Sequence, residues 1–304
     1  MIDYNNYFKN LGTVANDPFH QKAIDKCVAN YFERKIKTFQ KLKEIPVLAE
    51  KLREIRRATL NKLPEYVKRA SEEMKANGMN VYNAKTAKEA NEIILTLIGD
   101  AKEIVKAKSL TSEEIGMNEF LKEHEIQAWE TDTGALIMQL LKWKPAHTTG
   151  VSITVPRQKA AEVLSQLAGK ELPPEPLSLV QFVKEFVRKK VIEVKVGLSG
   201  ANAIAAESGE IFVVDNECNV RLVTSYVDKH IVLLGIDKVM PDWYAAMLYT
   251  RIVSAYATGS PRLTYISTFG GISKCSDIER VVVAPASGPK ELDVILLDNG
   301  RSKM

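Results

Sequence analysis

Four stretches of the chain gather side chains that could handle a small anion. The first, Lys108-Ser-Leu-Thr-Ser-Glu-Glu-Ile-Gly116, puts a lysine and a hydroxyl just ahead of a predicted helix. A strand ending at Lys108 and a helix starting near Ser112 would hold Lys108, Ser109 and the helix amides at the carboxyl edge of a parallel sheet, where such folds bind ligands. Thr111 and Glu114 stand at capping-box spacing, which accounts for Thr111 with no ligand. For Lys108 and Ser109, carboxylate or phosphate binding competes evenly with a solvated lysine beside a helix start. The second stretch is Glu130-Thr-Asp-Thr-Gly134, where Asp132 fits a helix N-cap first and an acid, base or hydroxyl acceptor second.

The third stretch, Gly197-Leu-Ser-Gly-Ala-Asn-Ala-Ile-Ala-Ala-Glu-Ser-Gly209, is built of residues small enough for a backbone to approach a ligand closely. Ser199, Gly200 and Asn202 would line such a site, and Glu207 would supply a carboxylate able to act as base or nucleophile. The plain alternative is a glycine-rich hairpin turning at Ser208-Gly209. No GxGxxG or P-loop is present, and Ala201 stands where GxSxG needs glycine. The fourth stretch, Asn216-Glu-Cys-Asn-Val-Arg221, offers Asn216, Asn219 and Arg221 for an acidic ligand, with an asparagine-rich turn as its equal competitor. His20, His124, His147 and His230 lie apart, and no histidine or cysteine spacing predicts a metal site.

The elements that must position these residues follow from periodicity and punctuation. Residues 1–78 read as a helical segment: Ile24, Cys27, Val28, Tyr31, Phe32, Ile36 and Phe39 recur at helical spacing, Pro46 and Pro64 open further helices, and Asn77-Gly78 closes the last. Residues 79–304 read as an α/β domain in which strands at Val81, Ile104–Lys108 and Ile126–Trp129 alternate with helices. That alternation predicts a mostly parallel sheet flanked by helices. Further strands are predicted at Gly197–Ile204, Ile211–Val214, His230–Ile236, Leu263–Ser267, Val281–Ala284 and Val294–Leu297, with a helix over Trp243–Ala255.

With 304 residues, 45% apolar and 26% charged, the chain is neither disordered, fibrous nor coiled-coil. Lys and Arg number 42 against 38 Asp and Glu, and a net charge of +4 predicts no nucleic-acid partner. The start, MIDYNNYFKN, lacks a signal-peptide pattern, and no apolar run is long enough for a membrane span. Three scattered cysteines suit a reducing, cytoplasmic setting.

Taken in order, AKSLTSEEIG, the ETD at 130–132, SGANAIAAESG, NECNVRLVTS, HIVLLGIDKVMP, AYATG and the closing LLDNGRS resemble the LUD domain, in the form found at the amino-terminal end of LutB-type lactate-utilisation proteins. The resemblance covers most of the chain. It implies a fold of the NagB/ribose-phosphate isomerase/CoA-transferase-like group with a helical amino-terminal extension. It also implies a subunit of a system oxidising L-lactate or a related 2-hydroxy acid, bound to a small carboxylate or phosphate. In LutB-type proteins a ferredoxin-like segment with iron–sulfur clusters follows the DNGRS run. Three separated cysteines cannot supply the four thiolates of a [4Fe–4S] cluster, so the clusters are expected in a separate ferredoxin-like partner among other lactate-utilisation proteins. Two departures from the family stand out: Thr133-Gly134-Ala135 replaces a run ending in a carboxylate, and a second histidine expected soon after His147 is missing. The alternatives are a structural or assembly subunit without its own pocket, and a stand-alone isomerase- or transferase-type enzyme using Glu207.

Overall fold

Proline placement sets the helices at the start of the chain. In α1 (Pro18–Lys41) the proline falls in a first turn, where a missing N–H costs nothing, and Asp17 accepts the Phe19 and His20 amides at 2.8 and 2.9 Å. α2 (Glu44–Leu60) and α3 (Leu63–Ala76) carry Pro46 and Pro64 in their first turns, as the sequence predicts. The computed structural model describes residue 12 and residues 15–145, 147, 150–260 and 263–303; the MIDYNNYFKN start and Ala146 lie outside the described residues. Among the described residues, no helix is long and apolar enough to cross a membrane.

After Gly78 the chain alternates: β1 (Asn80–Ala84), α4 (Ala87–Ile98), β2 (Glu103–Lys106), α5 (Leu110–Glu114), α6 (Met117–Glu123), β3 (Gln127–Glu130), α7 (Thr133–Leu141), α8 (Arg157–Ala168) and α9 (Pro176–Glu193). Then follow β4 (Val196–Ser199), β5 (Ala203–Ala205), β6 (Ile211–Asp215), α10 (Asn219–Tyr226), β7 (Lys229–Gly235), β8 (Val239–Met240), α11 (Trp243–Thr258), β9 (Tyr265–Phe269) and β10 (Glu291–Leu297). Six strands form one wholly parallel sheet in the order β1-β10-β7-β4-β2-β3. The chain leaves β2 toward β3 and leaves β4 toward β7, in opposite directions across the sheet. Such a divergence opens a crevice at the carboxyl ends of β2 and β4.

Alternate residues of each strand face opposite layers. Ile104, Leu198, Ile231, Leu233, Ile295 and Leu297 pack under α4 and α6 through Ile94, Ile98, Met117 and Leu121. On the other face, Val105 packs with α7 to α10, while Val232, Leu234, Val294 and Leu296 meet α3 and a second sheet of order β8-β5-β6-β9. Helix α2 lies outside, its Ile45 and Leu52 against Leu248 and Ile252 of α11.

The structure corrects several expected elements. The predicted strand Gly197–Ile204 is two strands, β4 and β5, which belong to different sheets and are separated by Gly200-Ala-Asn202. Val281–Ala284 forms no strand; Val283 makes one isolated bridge to Cys275, and Val281 and Val282 are exposed. β-branched residues set this expectation, but among the described residues their strand pairing goes no further than that one bridge. Of the asparagine-rich stretch Asn216–Arg221, residues 216–218 bend after β6 and the rest begins a helix, Asn219–Tyr226, while the helix expected to start near Ser112 breaks at Gly116, whose φ is +63°.

The β5–β6 hairpin packs its tip on α3, and Gly209 makes this contact possible. Its φ is +70°, and a Cβ there would lie 2.7 Å from the Met74 amide nitrogen. Replacing it, Gly209→Ala, should cost more than about 1 kcal/mol, read as a lower urea midpoint at unchanged slope. An unchanged midpoint would mean that the tip does not seat on α3.

Candidate functional site

Strands β2 and β3 end on opposite charges in direct register, Lys106 against Glu130. Both side chains lie on the face of Ile104 and Ala128, under α6, where a strand would ordinarily carry aliphatic residues. Lys106 is 0% and Glu130 5% exposed, and Nζ donates to Glu130 Oε1 at 2.5 Å. From α6, Asn118 Nδ2 donates to the same oxygen at 3.0 Å. Glu113 of α5 stands at the rim. Partial burial raises its carboxyl above the usual range, opposed by the charges of Lys106 and Lys108 and reinforced by that of Glu130. These groups therefore form one charged cluster at the carboxyl edge of the sheet.

The crevice between β2 and β4 is closed in by two of the expected residues. Gly200 sits so close to Ser109 that a Cβ on it would lie 3.0 Å from Ser109 Oγ. Ser109 itself caps α5, its Oγ accepting the Ser112 amide at 3.3 Å. The expected cap was Thr111, and the expected strand end was Lys108. Instead β2 stops at Lys106, Lys108 is half-buried in the loop, and Thr111 is buried inside the helix. With only five residues in α5 and Ser109 occupying the Ser112 amide, the helix amides are not the anion cradle expected from the sequence.

Asp132 does cap a helix: its Oδ1 accepts the Ala135 amide of α7 at 2.9 Å. Next to it lies Glu217, whose Oε2 accepts the Thr133 amide at 3.1 Å and its hydroxyl at 2.8 Å. Desolvation, and then the Asp132 charge, hold the Glu217 carboxyl above its ordinary value. Asn219 is buried and donates to Thr131 Oγ1 at 3.3 Å, while Thr131 Oγ1 donates to the Lys106 carbonyl at 3.0 Å. Asn219 therefore braces the recess from behind.

The remaining expected residues are engaged elsewhere. Ser199 is fully buried on the other face, sharing a 2.8 Å hydrogen bond with His230 Nε2. Asn202 Oδ1 accepts the Val214 amide at 2.9 Å, and Asn216 Oδ1 accepts the Thr264 hydroxyl at 3.0 Å. Arg221 is exposed on α10 with its guanidinium 4.8 Å from the centre of the Tyr265 ring, at the outer edge of the second sheet. Glu207 is exposed at the hairpin tip, the opposite end of β5 from Gly200, and accepts the Trp243 amide at 2.8 Å. Lys108, Ser109 and Gly200 thus share one crevice, whereas Arg221 and Glu207 serve other surfaces.

Sequence reasoning missed a second charged network on the same sheet edge. Arg301 donates to Asp237 Oδ1 at 2.6 Å and to Glu114 Oε2 at 2.6 Å, and Asn299 Nδ2 donates to Glu114 Oε1 at 2.7 Å. The hydrogen bond from Arg301 holds the Glu114 carboxyl below the usual range, and the one to Glu114 raises Arg301. Its signal was the closing Asp298-Asn-Gly-Arg301 run. Lys106 was concealed inside the strand expected over Ile104–Lys108, and Glu130 stood in the second stretch with no role assigned to it.

A separate cavity of about 480 Å³ opens at the amino ends of β7 and β10, lined by His230, Phe269, Gly271, Ser273, Lys274 and Leu292. Burial lowers the His230 pKa to about 3, so this ring is neutral there. Among the described residues lining it, the charged one is the exposed Lys274, in contrast to the enclosed charges at the ends of β2 and β3. Cys27, Cys218 and Cys275 are all free and lie on α1, at the start of α10 and in the loop after β9. Among the described residues, no group of three or more His, Cys, Asp or Glu side chains could hold a metal ion. A four-thiolate iron–sulfur cluster does not fit this set of cysteines.

Residues 67–297 match the family model described as the LUD domain. The lactate utilization protein B of Oceanobacillus iheyensis is 33% identical over 253 residues, covering 83% of this chain and 51% of that protein. Its counterpart in Macrococcus caseolyticus is 30% identical over 295 residues, 96% of this chain and 60% of that protein. An uncharacterized electron transport protein of Escherichia coli, YkgF, is 28% identical over 95% of this chain and 59% of its own length. The chain thus spans about half to three-fifths of the length of these curated relatives. Among solved structures, a DUF162 family protein from Deinococcus radiodurans matches with a TM-score of 0.42 and 12% identity, over 77% of this chain and 98% of that one.

Removing one partner of a buried ion pair leaves an uncompensated charge, whereas removing both need not be costly. Lys106→Met alone should destabilise by about 3–5 kcal/mol, and adding Glu130→Leu should restore most of that loss. Simple additivity in urea unfolding would contradict the pairing. His230 gives a pH dependence of known sign. Its folded value lies below that of the unfolded chain, so its contribution to stability is complete above about pH 6.5 and falls as the pH drops toward 3. His230→Gln should flatten that part of the stability–pH curve, and an unchanged slope would place the effect on other groups.

Proposed function

This chain belongs to the LUD domain family, and from that premise we propose that it is the ligand-binding member of a system oxidising L-lactate or a related 2-hydroxy acid. The names of its relatives, lactate utilization protein B and an electron transport protein, support the substrate class and the redox setting. The observation that carries the reading is the Lys106–Glu130 pair, enclosed at the carboxyl ends of β2 and β3, next to the divergence of β2 and β4. A buried ion pair is a poor source of stability, since apolar side chains of similar size would serve the core as well or better. One placed where parallel sheets bind ligands points instead to recognition.

In this reading the crevice takes the acid, with Lys108 on the carboxylate side and the Ser109–Gly200 contact shaping the wall. Oxidation of the alcohol to a keto acid releases two electrons and two protons. The protons would leave to solvent, and the electrons would go to iron–sulfur clusters held by a ferredoxin-like partner, so that turnover would need both proteins. The exposed apolar stripe of Phe19, Ile24, Val28, Phe32 and Ile36 along α1 supports an assembly role as a second reading. For an isomerase or transferase built on Glu207 there is less support, because that carboxylate is engaged by the Trp243 amide at the start of α11.

Affinity capture from the native host tests the proposal. The captured assembly should contain an iron–sulfur protein whose visible absorption bleaches on addition of L-lactate. Chain carrying Gly200→Val, which crowds Ser109, should capture the same protein but not support bleaching. Capture of no iron–sulfur protein, or bleaching that proceeds equally without this chain, would refute the assignment.

A further inference from the structure

Two oxygen atoms beside the buried ion pair lack a donor. Glu130 Oε2 and Asn118 Oδ1 are closed off from solvent and have no hydrogen-bond partner, although Lys106 Nζ and Asn118 Nδ2 both donate to the other Glu130 oxygen. Chemistry fixes the Asn118 amide in this orientation, since turning it over would set its oxygen against the carboxylate. Buried acceptors are almost always satisfied, and each one left bare bears the full cost of its desolvation. Two neighbouring bare acceptors call for a group that brings hydrogens. Lys106 already supplies the positive charge here, so a neutral hydroxyl matches the pair better than a second cation.

We infer that Glu130 and Asn118 form a hydroxyl-acceptor subsite that selects a small 2-hydroxy acid over the corresponding keto acid and over the acid lacking the hydroxyl. This rests on the proposed use of the crevice and adds which ligand atom goes where. The hydroxyl enters between Glu130 Oε2 and Asn118 Oδ1, while the carboxylate stays at the Lys108 rim. A keto oxygen in the same place is itself an acceptor and would face two others, so the oxidised product is held less tightly than the substrate. A site built to bond a hydroxyl rejects analogues that lack it, because its own polar groups are left bare.

Calorimetric titration of the whole chain with L-lactate, pyruvate and propionate tests this. L-Lactate should bind at least about tenfold more tightly than either of the others, the usual effect of a hydrogen bond to a charged group. In Asn118→Leu that preference should shrink to roughly threefold or less with propionate affinity unchanged, and in Glu130→Gln, which frees the Lys106 charge and strengthens binding of all three acids, the preference should shrink likewise. Should Glu130→Gln fail to fold, Asn118→Leu carries the test, with its folding checked by thermal melting. Equal affinity for all three acids in the unaltered chain would overturn the subsite while leaving the crevice as an anion site. Binding of none of them would overturn the crevice and the subsite together.

Discussion

The carboxyl edge of the large sheet is organised by one constraint: two opposite charges are held out of water at the ends of neighbouring strands. Register alone places Lys106 opposite Glu130, because β2 and β3 pair residue for residue from Glu103–Gln127 to that point. The desolvation is tolerable only if the surroundings are fixed, and several elements fix them. Thr131 binds back to the Lys106 carbonyl through both its amide and its hydroxyl, at 2.9 and 3.0 Å. Asn219, at the start of α10, then ties that threonine to the far side of the crevice. The turn after β3, the first turn of α10 and α6 thus converge on the strand ends that carry the ion pair.

The five-residue helix α5 connects this pair to the second charged network. At its first end Ser109 meets Gly200, so the β2 and β4 loops are in contact. At its last end Glu114 receives Arg301, which also binds Asp237 beyond β7. Gly235 is required for that approach, since a Cβ there would lie 2.3 Å from Arg301 Nε. Helix α5 is therefore held at both ends, and Glu113 is presented over the recess by geometry rather than by its own contacts. The carboxyl ends of β2, β4, β7 and β10 are joined by side chains as well as by the sheet.

Much of the fold was legible because helix periodicity, proline position and strand alternation are local signals. The alternation of strand and helix after Gly78 predicted the parallel sheet, and Pro46 and Pro64 marked two helix starts. What local signals cannot carry is the partner. Gly197–Ile204 looked like one strand, and only the second sheet explains why it bends at Gly200-Ala-Asn202. The valines at 281–283 carried strand propensity without a neighbouring strand. In the site, Ser109 and Gly200 were recognisable from small-residue loops at strand ends. Lys106 and Glu130 were not, since a charge at the end of a four-residue strand reads as solvated until its register partner is known. Arg221 shows the reverse: just past a strand end it fitted an anion site and an asparagine-rich turn equally, and its guanidinium lies over the Tyr265 ring, away from the β2–β3 charges.

The account stands on the claim that the enclosed charges of β2 and β3 are kept for a ligand. A crystal structure of the chain grown with L-lactate tests it most directly. The account predicts density for one acid in the crevice, its hydroxyl within hydrogen-bond distance of Glu130 and Asn118. Density only in the cavity beside His230, with the Glu130 recess unaltered, would contradict it.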